Sequence, residues 1–165
     1  MATMGPGAAD GTPERSPRAE VRVRAGRLWG GGVAVAVVAA LTAAVGYLIC
    51  EVVLDIALIP PAELVGGSSD TGSVLAQYIA LGVVAALVAT ALLHFLLIST
   101  PRPFAFFGWI MTLVTVAAGV LPFATDHDLD SQVASAAVLV VLGAAIGSLV
   151  SGVGARSLLR SRPGP

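Results

Sequence analysis

Two uninterrupted apolar runs, 74–98 and 104–123, are joined by only five residues, Ser99-Thr100-Pro101-Arg102-Pro103. A helix rises ~1.5 Å per residue and ~20 apolar residues cross the ~30 Å hydrocarbon layer of a bilayer, so each run is long enough to span. The connector is too short for anything but a tight hairpin, and its two prolines forbid one continuous helix. No Asp, Glu or Arg occurs between Asp70 and Arg102, or between Arg102 and Asp126. The single charge in the turn is basic, which predicts a cytoplasmic hairpin.

Two further runs extend this pattern. From Leu28 to Cys50 the chain is uncharged, opening on Trp29, and a fourth run follows from Ser131 to Ala155. Spans are therefore expected at about 29–54, 74–98, 104–123 and 131–155. The fold class is all-α: a polytopic membrane protein with four transmembrane helices in an up-down bundle. The first run lacks a convincing small-x-small cleavage site and reads as a retained anchor.

The charges sort by side. All nine basic residues are Arg: five in the first 27 positions, then Arg102, Arg156, Arg160 and Arg162. Seven of the ten acids lie at or after Glu51, in the two connections opposite the arginines. This segregation predicts cytoplasmic N- and C-termini in the plasma membrane. Residues 1–27, rich in Gly, Pro, Ala and Arg, are expected to form a disordered cytoplasmic tail, with 156–165 a second tail. The N-terminal segment lacks interleaved aromatics and carries Asp10, Glu14 and Glu20, which argues against nucleic acid as a partner. A single cysteine, Cys50, excludes an internal disulfide and a CxxC pair.

Small residues at helical spacing mark close helix approach in membranes. Span one has Ala36, Ala40 and Ala44. Span two has Gly82, Ala86 and Thr90, whose row continues to His94. Span three has Thr112, Thr115 and Gly119. Span four has Gly143 and Gly147, continuing to Ser151. The span-four row suits either a homodimer seam or a contact within the bundle. His94, as an ionisable group inside a span, is either a functional residue or a hydrogen-bonding one between helices.

Four carboxylates are candidates for a metal: Glu51, Asp55, Asp126 and Asp128. Glu51 and Asp55 lie four apart at the end of span one, as membrane-boundary acids or as the mouth of a cation or substrate path. Asp126, Asp128 and Asp130 alternate like the start of a calcium loop, but the sixth position is Ser131 and the twelfth Ala137, where such a loop needs Gly and Glu. With the ligand set incomplete, a solvated acidic loop is the favoured reading. No cofactor is expected.

The opening Gly26-Arg27-Leu28-Trp29, the segment from Tyr47 to Pro61, and Gly119-Val120-Leu121-Pro122 at the end of span three resemble a family of small four-span membrane proteins common in high-GC bacteria, a domain of unknown function. The resemblance covers roughly 27–156. It implies the four-span fold and carries no activity and no catalytic residues. With no zinc motif, paired cysteines or nucleophile elbow, the chain is expected not to be an enzyme. A structural or interaction subunit is the leading reading, with the bilayer and a second copy or another membrane protein as partners. A small transporter or permease component with an acidic outer mouth is the alternative.

Overall fold

The structure is a computed structural model that describes residues 25–67 and 72–159. The arginine-containing tails expected at either end fall largely outside the described residues. Five helices follow in order: α1 (Ala25–Tyr47), α2 (Pro61–Leu64), α3 (Val74–Ser99), α4 (Pro103–Val120) and α5 (Leu129–Leu159). A π-helical turn, Leu48–Val53, prolongs α1, and a 3₁₀ turn, Leu121–Ala124, prolongs α4.

The ends of these helices are set by local chemistry. The Ser73 side chain accepts a hydrogen bond from the Ala76 N–H and starts α3. That helix stops at Thr100, which is extended because Pro101 follows it. Pro103 occupies the first turn of α4, where a missing N–H costs nothing. At the other end of the bundle, Pro61 opens the single turn of α2 in the same way.

Among the described residues, four helical stretches are long and apolar enough to cross a membrane: Gly30–Val53, Val74–Ser99, Pro103–Ala124 and Leu129–Ala155. They run up and down and pack together as one bundle. Helix α1 lies against α3 and α5, and α4 lies against α5 and α3, so α1 and α4 occupy opposite corners. The core joins Ala39, Ala43, Tyr78, Ala86, Leu93, Phe107, Leu142 and Ile146.

Small residues bring α1 and α3 together. A Cβ added at Gly82 would lie 3.2 Å from the Ala39 carbonyl oxygen, and one at Gly32 would lie 2.7 Å from Thr90 Cγ2. The backbones thus meet closely, as helices do where packing and not solvent exclusion drives association. The buried row of α1 is Ala36, Ala39 and Ala43, whereas Ala40 and Ala44 are only half-buried. A strict four-residue spacing drifts around a helix of 3.6 residues per turn, so the seam steps by three and four alternately.

Candidate functional site

One end of the bundle carries the acids, the other the Arg102 turn. At the acidic end, the connection leaving α1 does not pass over the helices but dips into them. Leu58 and Ile59 are 4% and 1% exposed, while Leu54, Asp55 and Ala57 on the same segment face outward. A backbone that enters an apolar bundle must bring partners for its polar groups. Here the helices supply them from side chains. The Ile59 N–H donates to Ser135 Oγ on α5 at 2.9 Å, and Tyr78 Oη on α3 donates to the Ile59 carbonyl at 3.0 Å. Ser135 and Tyr78 thus hold the amide and the carbonyl of the same residue from two different helices. Both residues are fully buried.

Glu51 sits in the π turn and joins this arrangement. Its Oε1 accepts from the Leu58 N–H at 3.3 Å. Asp55 terminates the helix. Its φ of 54° is left-handed, and the turn it makes lets the Ile56 N–H reach the Cys50 carbonyl at 2.9 Å. Glycine usually holds this position, and Asp is among the few other residues that tolerate it.

The second acidic connection is tied to the first. Gln132 Nε2 donates to the carbonyls of Thr125 and His127, which fixes the loop. His127 Nε2 then lies 3.6 Å from Glu63 Oε2, an ion pair when the imidazole is protonated. Asp126 and Asp128 are exposed. Among the described residues, no group of three or more His, Cys, Asp or Glu is gathered closely enough to hold a metal ion. The structure therefore brings Glu51 to a backbone amide and gives Asp55 a conformational task.

The small-residue rows divide between two seams. Gly82, Ala86 and Thr90 are buried, and the Thr90 hydroxyl donates to the Ala86 carbonyl at 2.8 Å. His94 is half-buried on the same helix, with its Nδ1 buried and without a hydrogen-bond partner. Gly143 and Gly147 face α4: a Cβ on Gly143 would collide with Thr115, and one on Gly147 would make ordinary contact with Met111. Ser151 Oγ donates back to the Gly147 carbonyl at 2.7 Å. Beside this contact runs an open groove of about 390 Å³ whose lining includes Gly108, Thr112, Ala144 and Ser148. A second groove, about 430 Å³ and almost wholly apolar, separates α1 from α5 around Val45, Gly46, Cys50 and Val138.

Sequence reasoning missed Tyr78, Ser135 and Ile59. The chain has only two tyrosines, Tyr47 and Tyr78, and both lie at the acidic end. That pairing was the available signal.

The sequence profile of a family of unknown function, DUF6069, matches residues 23–156. The chain belongs to this family. The match begins just before α1 and ends three residues before the end of α5, so the DUF6069 unit coincides with the whole bundle, its clasped connection included. No curated protein and no solved structure matches the chain.

Proposed function

We propose that this DUF6069 protein is a structural or interaction subunit of the cytoplasmic membrane, not an enzyme, with both termini in the cytoplasm and a neighbouring membrane helix as its partner. The observation that carries this reading is the state of α4. That helix buries only Phe107 and Gly119. Its lipid-sized residues Trp109, Leu113 and Val116 point outward, but so do Gly108 and Thr112. Lipid tails are as apolar as leucine and give small or hydroxylated residues no advantage, whereas a packed helix does. The open groove beside α5 is lined by such residues.

Most polar groups inside the spans support the same reading, because they are engaged with the protein's own backbone; His94, whose Nδ1 has no partner, is the exception. Thr42, Thr90, Thr112, Ser148 and Ser151 each donate to a carbonyl three or four residues earlier. Ser135 and Tyr78 hold Ile59. A transport path would need polar groups free to meet a substrate. Segregation of the arginines supports the orientation.

A photo-crosslinking residue placed at Ser148 or Thr112 in native membranes tests the proposal. A protein adduct of discrete mass is expected from these two positions and not from Leu113, which is 64% exposed and lies outside the groove lining. Equal yields from all three would assign the groove to lipid and end the subunit reading. Ion- or substrate-dependent flux in reconstituted vesicles would favour the transporter instead.

A further inference from the structure

We propose that residues 54–60 act as a strap that opens as a unit while the four-helix bundle stays folded, exposing a polar recess at the acidic end. The recess is walled by Tyr78, Ser135 and Cys50, with Glu51 at its rim.

The strap is held differently from everything around it. It has no repetitive structure, and only Leu58 and Ile59 bury their side chains. Beyond the helix-ending bonds at Leu54 and Ile56, its hydrogen bonds to the spans are three, to the side chains of Glu51, Ser135 and Tyr78. None joins it to a helix backbone in a ladder that would unravel with it. Its ends are fixed points: the left-handed turn at Asp55 on one side and Pro60-Pro61 on the other.

The bundle does not need the strap to stay together. The α1–α3 seam closes on Gly32, Ala39 and Gly82, and α5 meets α3 and α4 through Gly154, which approaches Leu93 and Phe104. Nor does chain connectivity require it. At the opposite end three residues, 100–102, suffice to join α3 to α4, whereas twenty, 54–73, separate the π turn from α3.

The groups uncovered on opening suit water. Two hydroxyls, a carboxylate and the amide of Ile59 would exchange one hydrogen bond for another, which is nearly neutral for each group. Local opening of this kind draws on segments with few buried contacts, below the free energy of global unfolding. The recess presently recognises both backbone groups of one residue, Ile59, through one acceptor and one donor, so the strap is its internal ligand.

Cys50 is the built-in reporter. It is the only cysteine, is 7% exposed, and its carbonyl accepts from the strap's Ile56 N–H at 2.9 Å. The full chain in nanodiscs would be treated with a membrane-impermeant maleimide, which cannot reach Cys50 through lipid. Slow labelling is expected in the wild type, with acceleration of about tenfold or more in Ser135→Ala and in Tyr78→Phe. Gly143→Ala, which loosens the α4–α5 seam instead, should leave the labelling rate alone. Hydrogen exchange on the unaltered protein provides a readout that does not depend on a variant folding: the Leu58 and Ile59 amides should exchange together and ahead of the α3 amides around Tyr78. Labelling that rises only in step with global unfolding, or strap amides that exchange with the bundle core, would overturn the strap.

Discussion

Asp55 shows how a residue with a charge can be chosen for its backbone. Its left-handed φ makes it the terminator of the π turn, and the carboxylate itself faces outward. Asp55→Asn should therefore leave stability unchanged, Asp55→Gly should leave it equal or higher by up to ~1 kcal/mol, and Asp55→Val should cost ~1–2 kcal/mol. Thermal unfolding in detergent measures all three. A loss in Asp55→Asn comparable to that in Asp55→Val would mean that the charge matters after all. The shared hold of Ser135 and Tyr78 on Ile59 predicts coupling. Ser135→Ala strands a buried N–H and should cost ~1–3 kcal/mol. Because Tyr78 grips the same residue, the double variant with Tyr78→Phe should depart from additivity by at least ~0.5 kcal/mol. Strict additivity would show that the two hydroxyls hold the strap independently. Neither role was legible in the sequence: a serine in an alanine-rich span looks like any small residue until a chain segment 76 positions away is placed against it.

Between helices, the glycines are not equivalent, and the geometry ranks them. Gly143 would drive a Cβ into the β-branched Thr115, whose side chain has little room to turn, and Gly82 would drive one into the Ala39 carbonyl. Gly147 and Gly152 have ordinary contact and open space. Substitution to Ala should thus cost ~1–3 kcal/mol at Gly82 and Gly143. It should be neutral or stabilising at Gly147 and Gly152, where the gain in helix propensity of up to ~1 kcal/mol is unopposed. Equal effects at all four sites would mean that propensity alone decides. The rows through Gly82 and Gly143 were visible from spacing, because small residues every four positions leave a groove for a neighbour. Which neighbour fills it was not visible, since spacing on one helix says nothing of the helix facing it. The α1 seam lay one position away from the even four-residue row for a different reason, the drift of that spacing around a helix of 3.6 residues per turn.

For the molecule as a whole, hydropathy and charge made the bundle readable: four apolar runs, a proline-bounded hairpin and segregated arginines leave few other folds open. A reporter fused after Pro165 should behave as cytoplasmic and one inserted at Gly66 as external, and an external C-terminus would reverse the proposed orientation. The acidic connection was far less readable, because a chain that re-enters the bundle carries the same Leu, Ile and Pro residues as one lying on a membrane surface. The π turn at its origin has a consequence of its own. A π turn holds one more residue than the α-helix it interrupts. Deleting one residue from Leu48–Val53 would therefore shorten the chain without breaking a helix, converting the turn to ordinary α geometry. Because the wide turn absorbs that extra residue, the chain on either side of the deletion would keep its facing, and Asp55 would still aim the connection between α3 and α5. A deletion of one residue should therefore be tolerated within this turn, whereas one in the middle of α3 or α5, which have no extra residue to give up, would turn everything beyond it by about 100° about the helix axis.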